Sequence, residues 1–179
     1  VIVSPGTRFE GILFGDNVDF NPAELEGDDN KKLRFADCVF EGPMDVALEE
    51  YWFTNNCVFE DDFTLGAGGT NAVIEGVQFE ADVTIDEPVS VGNASFIAPS
   101  AGQLVTVNDP TTFEDCTFAG SGDTDIQTTN SLLTFKGTIV GKPTAVGARG
   151  IPTTEVNSTH AAANPVLYAH GVQISDFLI

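Results

Sequence analysis

Three glutamates, Glu41, Glu60 and Glu80, recur at intervals of 19 and 20 residues, each directly after a phenylalanine. Carboxylates at matched positions can do two kinds of chemistry. A pair about 5–10 Å apart can cleave a glycosidic bond. A ladder of them can hold a cation. If the three stand on successive turns of a repeating structure, they lie about 4.8 Å apart. Such a like-charge ladder needs screening salt, or bound sodium, potassium or calcium. Acids are so abundant that a carboxylate pair alone does not mark a hydrolase. The cations Arg8, Lys31, Lys32, Arg34, Lys136, Lys142 and Arg149 are scattered apart from the group at 31–34. A lyase needs a cation or calcium for its acidic sugar and a base for proton abstraction, and a chain of net charge −20 repels a polyuronate. No catalytic residue is therefore assigned. Tyr51-Trp52-Phe53 is the one aromatic triplet and contains the sole tryptophan. Strand alternation turns at least one of these rings outward, to stack on a sugar or to pack beneath a loop or a neighbouring subunit. The second use is expected for Trp52, and Val39 and Val58, outward on adjacent coils, form a small apolar stripe consistent with such a contact.

These residues are positioned by a six-residue pattern: apolar, any, Asp/Asn/Gly, small or apolar, any, large apolar. It occurs as Phe9–Phe14, Phe35–Phe40, Thr54–Phe59, Ile74–Phe79, Val91–Phe96, Phe113–Phe118, Phe135–Val140 and Ile174–Ile179. Successive starts lie 26, 19, 20, 17, 22, 22 and 39 residues apart. One short strand motif about every 20 residues is the mark of a solenoid. Within a copy, the fourth and sixth residues share a strand face. The first can join them only across a two-residue bend. The bend position holds Gly11, Asp37, Asn56, Gly76, Asn93, Asp115, Gly137 or Asp176, the residue types that tolerate a left-handed backbone. Stacking the coils predicts an aromatic interior column of Phe14, Phe40, Phe59, Phe79, Phe96, Phe118, Val140 and Ile179. A softer column of Ile12, Cys38, Cys57, Val77, Ala94, Cys116, Thr138 and Phe177 runs beside it.

With a repeat such as Glu114-Asp-Cys-Thr-Phe-Ala-Gly120, the chain resembles the right-handed parallel β-helix superfamily, which includes pectate-lyase-like proteins. The resemblance covers residues 9–140 and 174–179 and implies an all-β solenoid of about eight or nine short coils. That superfamily contains lyases, hydrolases, adhesins and viral spikes, so the likeness implies no single activity.

The chain has 27 acidic and 7 basic residues among 179. This disfavours nucleic acid and anionic lipid as partners. Low lysine with high acid is also the composition of proteins from extreme halophiles. Residues 1–120 hold 23 acids and 4 bases, whereas residues 121–179 hold 4 and 3. The nearly neutral C-terminal third suggests a surface covered in an assembly. Cys38, Cys57 and Cys116 share one interior column and read as packed free thiols. No zinc-ligand spacing, phosphate loop or nucleophile elbow occurs. No 18-residue apolar run suggests membrane insertion, and no signal-peptide pattern opens the chain.

The chain reads as a single domain: an N-terminal arm or cap at 1–8, regular coils over 9–140, an irregular coil with loops over 141–173, and the last copy at 174–179. Asn21, Pro22 and Gly27 predict a short helical insertion near residues 21–27. The last copy ends with Phe177, Leu178 and Ile179, which marks these residues, with Trp52, Val39 and Val58, as expected partner contacts. The expected function is a non-enzymatic structural or assembly protein on a virion or extracellular surface in high salt. A capsid decoration, turret, tail spike or cell-envelope component fits, assembled as a homotrimer or with capsid or tail proteins. The alternatives are a carbohydrate-binding or carbohydrate-cleaving β-helix, with a glycan as partner, and a self-polymerising filament subunit.

Overall fold

In a computed structural model, residues 6–16, 33–46, 51–66, 72–128, 133–141, 154–158 and 167–175 are described. Side chains are described within 6–16, 33–46, 51–66 and 72–127, and at 134–138 and 140. The first coil supplies β1 (Arg8–Glu10) and β2 (Leu13–Phe14). The second supplies β3 (Leu33–Ala36), β4 (Val39–Phe40) and β5 (Met44–Val46). Then come β6 (Tyr51–Thr54), β7 (Val58–Phe59), β8 (Phe63–Leu65), β9 (Val73–Glu75), β10 (Gln78–Phe79) and β11 (Val83–Ile85). They are followed by β12 (Val89–Gly92), β13 (Ser95–Ala98), β14 (Gln103–Val107), β15 (Thr111–Glu114), β16 (Thr117–Gly120) and β17 (Thr124–Thr128). The longer β18 (Leu133–Gly141), β19 (Thr154–Ser158) and β20 (Leu167–Ser175) complete the series.

Every pairing is parallel and joins equivalent strands of successive coils, which makes the chain an all-β parallel solenoid. Wall A stacks β1, β3, β6, β9, β12 and β15, and wall B stacks β2, β4, β7, β10, β13 and β16. Strand β18 pairs with both β15 and β16 and so joins the two walls at that end. The third wall is β5, β8, β11, β14, β17 and β19. Among the described residues, five successive coils carry three separate strands, from β3–β5 to β15–β17. This is fewer than the eight or nine regular coils expected, because β1 and β2 have no described third strand and β18 merges two walls. No helix occurs among the described residues, and the helical insertion expected near 21–27 lies outside them.

The bend column is the feature that shapes the fold. Asp37, Asn56, Asn93 and Asp115 have φ of 52°, 61°, 48° and 54°, and Gly11, Gly76 and Gly137 have 64°, 64° and 66°. Each left-handed corner lets the chain turn from wall A to wall B while the large residues on both sides stay inside. The corner amides also form a ladder along the solenoid. Asp37 N–H donates to Asn55 O at 2.8 Å, Asn56 to Gly76 O at 2.7 Å, Gly76 to Gly92 O at 2.8 Å and Asn93 to Glu114 O at 2.8 Å. Side chains reinforce it, with Asn56 Nδ2 donating to Asp37 Oδ1 at 3.3 Å and Thr138 N–H to Asp115 Oδ1 at 2.7 Å.

Inside, Phe14, Phe40, Phe59, Phe79, Phe96 and Phe118 stack ring on ring, with neighbouring centroids 4.8–5.2 Å apart. Phe35 and Phe53 from wall A meet them edge-on. Cys38, Cys57, Val77, Ala94 and Cys116 fill the adjoining column. Three expected interior positions are instead outside. Ile12 is 38% exposed, on the first described coil, with no earlier described coil over it. Thr138 and Val140 are exposed because β18 takes four residues from Lys136 to Val140 where their partners Glu114 and Thr117 are three apart. Phe118 consequently pairs with Gly141, and Val140 takes the outward position opposite Thr117. The third copy also needs reframing. Phe53, rather than Thr54, pairs with Phe35, and Asn55, with φ of 52°, is an extra left-handed residue in its corner.

Candidate partner-binding surfaces

Since alternate residues of each strand fill the core, the outward residues of each wall form columns of their own. On wall A one column runs Arg8, Arg34, Trp52, Val73 and then Ser90, Thr112 and Thr134. On wall B the corresponding column runs Leu13, Val39, Val58, Gln78, Ser95 and Thr117. Wall A is cationic and then apolar as far as Val73, and wall B is apolar as far as Val58, one coil earlier; beyond Val73 and Gln78 both columns carry hydroxyls. Leu13 is 62% exposed, and Val39 and Val58 are half-buried, so the outward apolar stripe expected for the two valines extends to a third residue.

Trp52 points outward between buried Tyr51 and Phe53. The Arg34 guanidinium lies over its ring, 4.7 Å from the centroid. A cation on the π face is an attractive arrangement, and here it occupies a face that a sugar would need. Arg34 is exposed, so its remaining N–H donors face solvent. Arg8, one strand earlier, pairs with Glu10 at 3.0 Å. Sequence reasoning placed Val39 and Val58 but missed Arg34, Val73 and Leu13 as their companions. The signal was available: each wall A residue directly precedes the first apolar position of its copy, once the third copy starts at Phe53.

Glu41, Glu60 and Glu80 follow wall B. Their N–H groups donate to Phe14, Phe40 and Phe59 O, each at 2.9 Å, which fixes one carboxylate per coil. Gln78 Nε2 donates to Glu80 Oε1 at 2.5 Å. Among the described residues no three His, Cys, Asp or Glu side chains converge as metal ligands would. The carboxylate ladder thus borders the Leu13–Val39–Val58 stripe as a row of separate charges. Phe177, Leu178 and Ile179 lie outside the described residues.

The thiols show no sign of reactivity. Cys38, Cys57 and Cys116 are buried and free. Burial pushes Cys57 up to about 11 and Cys116 up to about 12, opposite to the shift that activates a nucleophile. Sequence reasoning also missed a buried polar bridge. Gln103 Nε2 donates to Ala81 O at 2.6 Å, and Thr124 Oγ1 donates to Gln103 Oε1 at 3.3 Å.

Together these features define a parallel β-solenoid with acidic flanks and two outward apolar stripes that overlap at the coil of Trp52 and Val58. The chain matches no family model, no curated protein and no solved structure.

Proposed function

We propose that this chain is a non-catalytic structural component of a virion surface, such as a capsid decoration, turret or tail spike, or of a cell envelope, in a high-salt environment. The observation that carries the reading is the pair of outward apolar stripes, Leu13–Val39–Val58 and Trp52–Val73, left on the walls of a strongly acidic solenoid. Apolar stripes on such a surface suit contact with another protein. The continuous phenylalanine stack suits a rigid spacer or display element. The left-handed corners also agree with the right-handed parallel β-helix superfamily that the repeat resembles, several of whose members serve such roles. Acidic flanks with few cations favour high salt, where the ladder charges are screened.

The test is location. Antibody against the chain should find it in the sedimented particle or envelope fraction of the culture that produces it. Recovery only as free protein, or turnover of a polysaccharide by the purified chain, overturns the reading.

A further inference from the structure

From the placement of the two stripes we infer that the partner is a second copy of this chain, wall A of one copy docking on wall B of the next in a closed ring. The inference rests on the assembly reading and narrows it. Two observations carry it. First, the stripes are complementary. Wall A offers Arg34, Trp52 and Val73, with Arg8 already paired to Glu10, while wall B offers Leu13, Val39 and Val58 edged by Glu41 and Glu60. Arg8 and Arg34 are two of the three basic residues whose side chains are described, and both stand in this one column. Second, the stripes overlap in height over the first three coils, with Val73 one coil further along wall A. Arg34, Val39 and Glu41 belong to one coil, and Trp52, Val58 and Glu60 belong to the next. A rotation about an axis parallel to the solenoid preserves height. It therefore brings Arg34 towards Glu41 of the neighbour, and Trp52 towards Val58 and Glu60.

The two walls meet at the left-handed corner and are different surfaces, so the contact is heterologous. Such a contact builds a ring when the copies are related by rotation alone and the rotation closes, and a filament otherwise; equal heights for Arg34 and Glu41, and for Trp52 and Val58, favour the ring. The hydroxyl-bearing coils beyond Val73 and Gln78 then stand outside the contact. Each copy carries −20, so association needs salt that screens the net repulsion yet leaves a close contact intact. At 1 M the screening length is about 3 Å, comparable to a direct ion pair and shorter than the distance between most charges on two subunits.

Sedimentation velocity of the full chain in molar potassium chloride tests this. The wild type should sediment as a closed oligomer. Trp52→Glu should give a monomer, since its wall A is spoiled, and Val58→Glu should give a monomer because its wall B is spoiled. Mixed, the two should form one-to-one dimers, each supplying the wall that the other lacks. Both variants must keep the wild-type far-ultraviolet circular dichroism. If either loses it, Arg34→Glu and Glu41→Arg replace them, each weakening the oligomer and the double exchange restoring it. A monomeric wild type, or a mixture of folded variants that stays monomeric, overturns the ring. Neither result bears on the particle-fraction test, so the assembly reading stands or falls separately.

Discussion

Asp37, Asn56, Asn93 and Asp115 hold left-handed φ values of 48–61°, where a β-carbon crowds the next carbonyl and most side chains lose roughly 1–2 kcal/mol. Short Asp and Asn side chains lower that cost with local hydrogen bonds, and glycine avoids it, which is why Gly11, Gly76 and Gly137 alternate with them in one column. Asp37→Val should therefore lower unfolding stability by about 1–3 kcal/mol, whereas Asp37→Gly should change it by less than about 1 kcal/mol. Asp115→Gly should cost more than Asp37→Gly, by up to roughly 1 kcal/mol, since it loses a 2.7 Å bond from the Thr138 backbone N–H where Asp37→Gly loses only the 3.3 Å bond from exposed Asn56 Nδ2. Urea unfolding at fixed salt measures all three. The thiols give a pH dependence of definite sign. Burial raises Cys57 from 9.0 to about 11 and Cys116 from 9.0 to about 12, so the folded state holds protons that the unfolded chain releases. Their contribution is complete below pH 9 and falls as the pH rises from there towards 12. The Cys57→Ala/Cys116→Ala variant should lose that alkaline slope in urea melts between pH 8 and 11; an unchanged slope would assign it to other groups.

Among the elements, the phenylalanine stack ties successive coils together. Phe59 has its ring stacked on Phe40 and Phe79 and meets Phe53 edge-on, and it is 1% exposed. Phe59→Ala should cost about 3–5 kcal/mol, and Phe59→Leu clearly less, as read from urea midpoints. A value below about 1 kcal/mol would mean that the coils on either side close over the gap. This stack was legible in the sequence because a bend residue and a large apolar residue keep a fixed spacing, and both requirements are local. The misplacements came where one residue was added without disturbing the pattern. Phe135-Lys-Gly-Thr-Ile-Val140 satisfies the motif, yet one residue added between Lys136 and Val140, relative to the coil before, sends Val140 outward and gives its place opposite Phe118 to Gly141. Thr54 likewise stands six residues from the end of its copy, and only the pairing of Phe53 with Phe35 reveals the extra corner residue. That misframing is also why Arg34, Trp52 and Val73 were not seen as one column. Pairing register is a relation between coils, and a motif read one copy at a time does not contain it.

Over the whole molecule, the balance is set by an apolar core that holds the coils together and by acids that the same stacking forces close together. In-register pairing places Glu41, Glu60 and Glu80 on consecutive coils, about 4.8 Å from one backbone to the next. Arg8 pairs with Glu10 on wall A. At 0.1 M salt the screening length is about 10 Å and spans two coil spacings; at 1 M it is about 3 Å and shorter than one. The unfolded chain spreads the same charges further apart, so low salt penalises the folded state more. Unfolding temperature should therefore rise steeply between 0.1 and 1 M potassium chloride, the range flagged by those two lengths, and flatten above it. Sodium chloride should act equally if screening is the cause. A much larger response to millimolar calcium would instead point to ions bound along the ladder. Glu60→Gln removes the middle charge, with both neighbours one coil away, so it should raise stability at low salt and reduce the salt slope. If that variant melts with the wild-type slope, the ladder is not the source of the salt requirement, and acids elsewhere, such as Glu10, Glu75 and Glu114 on wall A, must carry it.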